Sequence, residues 1–462
     1  MKFFLPVIAA LVFSVSTYAQ DFTGLDQVAR TEMKEKNVVG AAIAVIKDGK
    51  VVYSKGFGVA NSETNAPVTA QTLFQTGSIA KTFTAALILK LASEGKLRLD
   101  APIGGYVTGL QSPRLARVTL AQLLSHTAGI IDEPDEFGAA DETLMATYVR
   151  SWKDDYAMFE PGEVFSYSNS GYALAGLTAQ EAVRKSYLEL MQENIFAPLG
   201  MKTTTFRPTV AMTYPLAVGH RVKAGEQPRV VRPLAQDARL YPAGTMYSSL
   251  EEMTRFALMI SNEGTSDGQV IVPPHVIEQM LTPHAVQLSA PDDTAYGYGM
   301  FMKTDHGVRQ FWHDGSMTGY VAQMKLIPAR KAAVIILGNT DNVVLSKTQE
   351  KALELILNLK PSTDQPGKAA ARPPLPLTTG EMSQYVGTYA QPNRWQIEIF
   401  VRDGQLFIRE LGQELPLTKI AENRFAMQFP NAARPVGIYL KPAAAQSRGF
   451  IHQYVWAFAK TQ

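Results

Sequence analysis

The chain contains no cysteine in its 462 residues. Disulfide bonds, a lipid-modified cysteine, a cysteine nucleophile and thiolate metal sites are therefore all excluded. A cysteine-free chain suits an oxidising compartment, where a stray thiol is a liability. Stability must come from a hydrophobic core, for which the 46% of hydrophobic residues provide the material.

An excess of charge of either sign is also missing. The 44 basic and 42 acidic residues give a formal net charge of +2, and neither a basic stripe nor a charge run occurs. The sequence therefore has no electrostatic footprint for nucleic acid. It also lacks a glycine-rich phosphate loop, and His220, His275, His284 and His306 show no metal-ligand spacing. We expect no cofactor and no metal.

No apolar stretch is long enough to make a stable membrane span. Lys2 is followed by an apolar stretch at residues 3–15, and Thr17 and Ala19 place small residues at the −3 and −1 positions. This pattern is typical of a signal peptide, here residues 1–19 with cleavage after Ala19. The stretch is shorter than the ~20 residues that a spanning helix requires. We therefore expect an exported protein, periplasmic or secreted.

Residues 20–359 read as one large domain of mixed strands and helices. Apolar segments at 41–46 and 51–55 flank an Asp-Gly pair and predict a hairpin. An apolar stripe predicts a helix over 78–94, and residues 120–213 read as an inserted helical layer. Strands at 321–327 and 332–337 and a helix over 345–359 follow. Strands at both ends with helices between them predict a sheet covered by helices.

Residues 360–377 are rich in proline and predict a linker. Beyond it, residues 378–462 contain short strand patterns at 395–401, 405–409, 424–428 and 436–441, and no helix pattern. Phe450, Tyr454, Trp456 and Phe458 fall on one face of a single predicted strand. These patterns predict a small C-terminal barrel. We expect this domain to fold separately and to modulate substrate access without doing chemistry.

Three short motifs follow one another: Ser-Ile-Ala-Lys at 78–81, Tyr-Ser-Asn at 167–169 and His-Asp-Gly at 313–315. Each alone arises by chance in a chain of this length, but the ordered set is specific. A serine hydroxyl becomes a good nucleophile when a base takes its proton. Ser78 and Lys81 would lie one turn apart on one helix face, at an end that stabilises negative charge. Alternatively, Ser78 only caps the helix and Lys81 is solvated.

The second motif offers partners for this lysine. Lys81 can act as a base only when neutral, which requires desolvation or positive neighbours. Tyr167 could share a proton relay with it, because a tyrosine near a lysine can be pushed toward phenolate. Asn169 could hold both Lys81 and a substrate amide. Without the other motifs, the same residues would be a polar turn before a helix over 171–185.

The third motif precedes a predicted strand. An exposed edge there could pair with an extended substrate, for which Gly315 leaves room. The backbone N–H of Ser316 could join that of Ser78 as an oxyanion hole. Alternatively, His313, Asp314 and Gly315 form a hairpin turn with a satisfied histidine.

The ordered motifs resemble those of the serine β-lactamase and penicillin-binding-protein superfamily. The branch is that of class C β-lactamases, D-alanyl-D-alanine carboxypeptidases, D-aminopeptidases and related esterases. Residues 123–129 (Leu-Leu-Ser-His-Thr-Ala-Gly), 242–246 (Pro-Ala-Gly-Thr-Met) and 296–300 (Tyr-Gly-Tyr-Gly-Met) match it too, and the resemblance covers about residues 22–358. We assign His126, within the first phrase, a structural role in a loop near the site.

The resemblance implies a β-lactamase/transpeptidase-like fold, an antiparallel sheet flanked by helices with a helical subdomain. It also implies that Ser78 is acylated, that Lys81 and Tyr167 form the proton relay, and that residues 313–316 pair with substrate. From about residue 378 the chain resembles the lipocalin-like domains appended to some members. Two departures concern the third motif, where His313 replaces a usual lysine and Asp314 a hydroxyl residue. A carboxylate there would repel an acidic substrate and disfavour efficient β-lactamase activity.

These observations predict an exported serine hydrolase that forms an acyl-enzyme on Ser78 with an amide, a D-amino-acid peptide or an ester. Its partner is a small-molecule or peptide substrate. The alternatives are a weak β-lactamase and a non-catalytic penicillin-binding sensor. Specificity lies in the shape of loops around the site, so the sequence alone names neither the substrate nor the oligomeric state.

Overall fold

The computed structural model describes residues 21–133, 136–223, 225–290, 292–305, 307–358, 374–430, 435–444 and 448–461. The predicted signal peptide at 1–19 and residues 360–373 of the predicted linker lie outside these ranges. Within them, no helix combines the length and the apolar character needed to cross a lipid bilayer.

The described part of the larger domain is built on an antiparallel sheet of nine strands. The strands are β1 (Gly40–Lys47), β2 (Lys50–Asn61), β3 (Ala66–Pro67), β4 (Ala285–Val286), β5 (Ala295–Tyr296), β6 (Phe301–Asp305), β7 (Val308–Met317), β8 (Tyr320–Ile327) and β9 (Ala332–Gly338). Their order is β4-β5-β6-β7-β8-β9-β1-β2-β3. Strand β1 from the start of the chain thus pairs with β9 from the end of this domain, with Ile43 opposite Ile336.

The first hairpin forms where it was predicted. Asp48 and Gly49 both have positive φ, 52° and 73°, as a two-residue turn matched to the strand twist requires. Strand β1 is buried along almost its whole length because helices cover both faces of the sheet. Ala42 and Ala44 point into one core, whereas Ile43 and Val45 point into the other.

Helices surround this sheet and form the layer predicted between residues 120 and 213. In chain order they are α1 (Thr23–Glu35), α2 (Ala80–Ser93), α3 (Pro113–Ala116), α4 (Leu120–Leu124), α5 (Leu144–Arg150), α6 (Asn169–Val183), α7 (Tyr187–Met191), α8 (Pro208–Ala211), α9 (Leu250–Ser261), α10 (Pro274–Met280) and α11 (Ser346–Leu357). A π-helical turn, Gln192–Phe196, follows α7. Helices α1 and α11 cover one face of the sheet. Helix α2 runs through the core on the other face, so most of its residues are buried.

Short strand pairs connect the loops around this domain. They are Leu73–Gln75 with Tyr247–Ser249, His220–Arg221 with Arg229–Val230, and Thr265–Ser266 with Gln269–Val270. The first pair lies directly before the turn that carries Ser78. It ties that turn to the segment that contains Ala243.

The C-terminal residues form a second antiparallel sheet that almost closes into a barrel. Its strands are β10 (Gly387–Ala390), β11 (Gln396–Arg402), β12 (Gln405–Glu410), β13 (Gln413–Pro416), β14 (Thr418–Ala421), β15 (Arg424–Met427), β16 (Val436–Lys441), β17 (Phe450–Gln453) and β18 (Trp456–Lys460). Their order is β13-β12-β11-β10-β18-β17-β16-β15-β14. The end strands are consecutive in the chain, and the Leu417 N–H between them donates to the Leu406 carbonyl at 2.9 Å. Buried apolar side chains fill the interior.

Two predictions for this region were wrong. A short helix, α12 (Thr379–Tyr385), opens it, and a reciprocal pair of hydrogen bonds between Thr378 and Glu381 caps that helix. The aromatic run at 450–458 belongs to two strands, because the chain reverses at Tyr454, which has a φ of 53°. The even spacing of the aromatics concealed that turn. The predicted mixed fold, with a helix-flanked antiparallel sheet, a helical layer and a C-terminal barrel, is confirmed.

Candidate active site

Ser78 and Lys81 lie together at the start of α2. Ser78 belongs to a 3₁₀ turn, Gly77–Ile79, that leads directly into the helix. Its side chain is half-buried, whereas Lys81 is completely buried. The Lys81 Nζ lies 3.1 Å from the Ser78 Oγ. The structure therefore places an ammonium or amine group within hydrogen-bond distance of the predicted nucleophile.

The surroundings of Lys81 favour a neutral amine. Burial lowers the pKa of Lys81 to about 7, although the charge of Asp132 acts in the opposite direction. The Nζ lies 2.6 Å from the Asn169 Oδ1 and 2.7 Å from the Ala243 carbonyl oxygen. A neutral amine has two N–H donors and one lone pair. These two oxygens accept the donors, which leaves the lone pair for the proton of Ser78.

Tyr167 completes this cluster from the loop before α6. Its buried hydroxyl shares a hydrogen bond with Ser78, and the Lys81 Nζ lies 4.7 Å from its ring centre. Burial raises the pKa of Tyr167 well above its usual value, so the phenol stays protonated. The shift toward phenolate considered from the sequence is therefore wrong. In this geometry Lys81 is the group that could act as a base, and Tyr167 could pass a proton only as a neutral hydroxyl.

The loop that carries Tyr167 is held by local caps. Ser168 occupies the N-cap of α6, where its Oγ accepts from the Gly171 N–H at 2.9 Å and donates to the Ile131 carbonyl at 3.0 Å. The Ser168 N–H donates to the His126 Nδ1 at 3.0 Å, and the His126 ring lies 4.2 Å from that of Tyr167. This is the supporting position that we assigned to His126.

His313 lies on the same face of the sheet as the cluster, and its ring is fixed on both sides. Its Nδ1 is 2.7 Å from the Asp314 carbonyl oxygen and its Nε2 is 3.2 Å from the Tyr296 hydroxyl. Burial and the nearby Lys81 lower the pKa of His313 to about 3. The imidazole is therefore neutral, so the third motif presents no positive charge to a substrate carboxylate.

Asp314 is the one predicted site residue that the structure does not bring to the cluster. Successive side chains of a strand point to opposite faces, and Asp314 pairs with Gln323 while His313 pairs with Met324. Met324 belongs to the core around α2, so Asp314 points to the other face. There, partial desolvation raises its pKa to about 6, and the Lys325 charge opposes this. The predicted repulsion of an acidic substrate by Asp314 has no geometric support.

Gly315 and Ser316 lie against the turn that carries Ser78. A Cβ at Gly315 would come within 1.9 Å of the Thr76 carbonyl oxygen, and one at Gly77 within 2.6 Å of the Ser316 nitrogen. The two glycines therefore allow backbone-to-backbone contact, whereas we had expected Gly315 to leave room for substrate. The contact brings the backbone of Ser316 beside that of Ser78, which is the proximity that the predicted oxyanion hole needs.

The substrate-pairing edge predicted for β7 is open. Strand β6 pairs with β7 only as far as Trp312, while β8 continues along the other side of β7 to Met317. Among the described residues, no strand therefore pairs with the second edge of residues 313–317. An extended substrate can add to this edge by backbone hydrogen bonds.

Sequence reasoning missed a residue behind the cluster, Asp132, which is completely buried. Its Oδ1 accepts from the Asn169 N–H at 2.8 Å, and its Oδ2 accepts from the Trp456 Nε1–H at 3.1 Å and from Arg394. Trp456 and Arg394 belong to the C-terminal barrel. The Tyr167 N–H also donates to a barrel residue, at 2.8 Å to the Val455 carbonyl. The barrel therefore touches the loop that carries Tyr167. An isolated aspartate in a loop gives no sequence signal for these partners.

The pKa of Lys81 leads to a prediction for the pH profile. The base works only as a neutral amine, so kcat/KM should rise through about pH 7 and be lost as the pH falls below it. The part of the profile where kcat/KM rises with pH is its acid limb. Measuring kcat/KM against pH with a non-ionising substrate locates this acid limb. A profile of kcat/KM that is flat from about one pH unit below pH 7 to about one unit above it would contradict the assignment of Lys81 as base.

The chain is similar to several known proteins. The family model described as Beta-lactamase matches residues 25–357. Penicillin-binding protein 4 of Amycolatopsis lactamdurans is 30% identical over 315 residues, which cover 66% of this chain and 82% of that protein. Protein flp of Staphylococcus aureus (strain MW2) is 26% identical over 350 residues, which cover 73% of this chain and 66% of that protein.

Two solved structures resemble the described chain as a whole. The octameric penicillin-binding protein homologue from Pyrococcus abyssi aligns with a TM-score of 0.67 and 26% identity, over 95% of this chain and 100% of that one. SurE aligns with a TM-score of 0.76 and 24% identity, over 95% and 98%. The similarity in fold therefore extends beyond the larger domain.

Proposed function

Because this chain belongs to the β-lactamase family, we propose that it is a serine hydrolase that forms an acyl-enzyme on Ser78. The observation that carries the proposal is the 3.1 Å approach of the Lys81 Nζ to the Ser78 Oγ, in surroundings that lower the lysine pKa to about 7. A solvated first-turn lysine would have neither property. The alternative in which Ser78 only caps a helix also loses support, since no side-chain cap bond is present at that helix start.

The geometry supports a two-step reaction. Ser78 Oγ attacks the substrate carbonyl carbon while its proton passes to the neutral Lys81. The N–H groups of Ser78 and Ser316 stabilise the oxyanion. The proton then reaches the leaving amine or alcohol through the Tyr167 hydroxyl as the C–N or C–O bond breaks. Water attacks the acyl-enzyme by the reverse proton path, which releases the acid and restores the Ser78 hydroxyl.

The proposed substrates are neutral esters or D-aminoacyl amides. A charge-assisted hydrogen bond to a substrate carboxylate is typically worth ~1.5–3 kcal/mol, and the neutral His313 cannot supply one. Penicillins and peptides that end in D-alanine carry that carboxylate, so they lose this contribution. We therefore place esterase and D-aminopeptidase activity ahead of carboxypeptidase and β-lactamase activity.

A panel of chromogenic substrates tests this ranking. The purified mature protein should hydrolyse p-nitrophenyl esters or D-aminoacyl anilides with a higher kcat/KM than D-Ala-D-Ala peptides or a cephalosporin, and Ser78→Ala should abolish all of these activities. A cephalosporin turned over faster than every ester and amide would overturn the substrate proposal. A burst of product without turnover would instead identify a penicillin-binding sensor.

Replacing Asp314 separates its two possible roles. Because its side chain lies on the face away from Lys81, we expect Asp314→Thr to leave the ranking of the panel substrates unchanged. Kinetics of the variant on the ester and the cephalosporin measure this. A shift of preference toward the cephalosporin would mean that the Asp314 charge reaches the substrate after all.

The proposal includes export. The N-terminal pattern of Lys2, the apolar stretch at 3–15 and the small residues Thr17 and Ala19 supports cleavage after Ala19. N-terminal sequencing of protein secreted or released from the periplasm of the host should begin at Gln20. A mature chain that retains Met1 would contradict it.

A further inference from the structure

Asp132 is buried at the contact between the larger domain and the C-terminal barrel. Its carboxylate is completely inaccessible, and it is bonded by three donors from two directions. The Asn169 N–H comes from the larger domain, whereas Arg394 and the Trp456 indole N–H come from the barrel. Buried carboxylates need such partners, because an unpaired one is costly. Two of the three donors are absent without the barrel.

Asp132 acts on Lys81 through geometry. Its Oδ1 holds the Asn169 N–H at 2.8 Å, at the first residue of α6. The side-chain Oδ1 of the same asparagine lies 2.6 Å from the Lys81 Nζ. A displaced Asp132 would therefore displace the group that fixes the lysine amine.

Asp132 also acts on Lys81 through charge. The other titratable groups that face Lys81 from neighbouring elements are His126, His313, Tyr167 and Tyr172. Burial lowers the pKa of both histidines and raises that of both tyrosines, so all four are neutral. Among the described residues, Asp132 is thus the group that acts on Lys81 with a negative charge. This charge favours the protonated form of Lys81. Arg394 pairs with this carboxylate, and a positive charge there opposes the effect of a negative charge on a nearby lysine.

The barrel presents Trp456 on a hairpin that is bonded to the larger domain, and Arg394 stacks on Trp456 from the turn between β10 and β11. A hydrogen bond from the Tyr167 N–H to the Val455 carbonyl, at 2.8 Å, fixes one side of the turn between β17 and β18. On its other side the Ser289 hydroxyl donates to the Tyr454 carbonyl at 2.7 Å. The Arg394 guanidinium lies 4.1 Å above the Trp456 ring. These contacts hold the hairpin and Arg394 against Asp132 together.

We propose that Arg394 and Trp456 of the C-terminal barrel are positioning residues for the proton relay, which hold and neutralise Asp132 so that the active site is complete only with the barrel docked. This inference rests on the proposed acylation of Ser78. It revises the expectation that the C-terminal domain takes no part in the chemistry. The barrel contributes no group that touches the reacting atoms, but it sets the protonation state of the group that does.

The test measures the rate of Ser78 labelling by a fluorophosphonate as a function of pH, in the full-length chain. In Arg394→Gln the uncompensated Asp132 should stabilise the protonated lysine. The acid limb should then move up by about one pH unit, since an opposite charge nearby shifts a pKa by about 1–3 units. Labelling at pH 7 should fall about fivefold, because the neutral fraction of a lysine whose pKa rises from about 7 by one unit falls by that factor. Trp456→Phe, which keeps the ring and removes the N–H, should move the limb in the same direction by less.

Two further variants distinguish the neutralisation of Asp132 from a general loosening of the contact between the barrel and the larger domain. Asp132→Asn combined with Arg394→Gln removes both charges and should return the acid limb to the wild-type position or below it. Arg424→Gln is the matched control, because Arg424 also joins the barrel to the larger domain, through the Ala290 carbonyl at 3.0 Å, without contacting Asp132. Its pH profile should not move.

The outcomes distinguish the two proposals. A wild-type protein that is never labelled at Ser78 would overturn the proposed function and this inference with it. A labelled wild type with an unmoved acid limb in Arg394→Gln would overturn the inference alone. The same holds if Arg424→Gln moves the limb equally or if the double variant fails to restore it. Thermal unfolding of each variant identifies any that are not folded, and the double variant then decides the result.

Discussion

Replacing Lys81 by alanine is expected to lower kcat/KM about 10³-fold, within the range for loss of a general base. The Lys81 Nζ is the group that can accept the Ser78 proton, because it lies 3.1 Å from Oγ and burial lowers its pKa to about 7. Tyr167 is held protonated and cannot replace it. Steady-state kinetics on the best panel substrate measure the loss. Lys90→Ala is the matched control, since Lys90 lies on the same helix but pairs with Glu94 near the surface.

The losses of activity from replacing Lys81 and Tyr167 are expected not to multiply. Tyr167→Phe alone should cost about 10²-fold, because it removes the hydroxyl that shares a hydrogen bond with Ser78. Groups that act as one unit lose nearly all of their effect at the first substitution. The double variant should therefore resemble Lys81→Ala. A double loss equal to the product of the single losses would show that the two residues act independently.

Gly315→Ala is expected to reduce Ser78 labelling by about 10²-fold or more, the cost of losing one oxyanion donor. The added Cβ would meet the Thr76 carbonyl oxygen at 1.9 Å, and backbone cannot give way as a flexible side chain can. Strand β7 must then move away from the turn, which takes the Ser316 N–H away from Ser78. The labelling rate and the melting temperature should be measured together.

Gly380→Ala is the control for this substitution. Gly380 is exposed in α12, and a Cβ there would meet nothing within 4 Å. Alanine also has a higher helix propensity than glycine, so this variant should keep its labelling rate and its stability. A folded Gly315→Ala protein that labels as fast as the wild type would contradict the close approach of β7 to the nucleophile.

Local spacing explains which parts of the site the sequence predicts. Ser78 and Lys81 are three residues apart at a helix start, so the helix itself brings them together. Asp48 and Gly49 specify their turn in the same way. Tyr167 and Asn169 lie far from Ser78 in the chain, so local spacing does not place them at the site. The order of the motifs predicts their place there only through the resemblance to a family.

The features that were missed depend on long-range packing or on the phase of a strand. His313 and Asp314 are both polar, so alternation cannot show which of them faces the nucleophile; the pairing with Met324 and Gln323 decides it. Asp132 meets Arg394 and Trp456 across more than 250 residues of chain. None of these three residues carries a sequence signal for the contact, because only the fold buries them together.

Ser78 is expected to be the nucleophile and to become acylated. Intact-mass measurement followed by peptide mapping after reaction with a fluorophosphonate tests this. We expect one adduct per chain on the peptide that contains Ser78, formed faster as the pH rises through about 7 and absent from Ser78→Ala. An adduct on another residue, or labelling that survives Ser78→Ala, would contradict it.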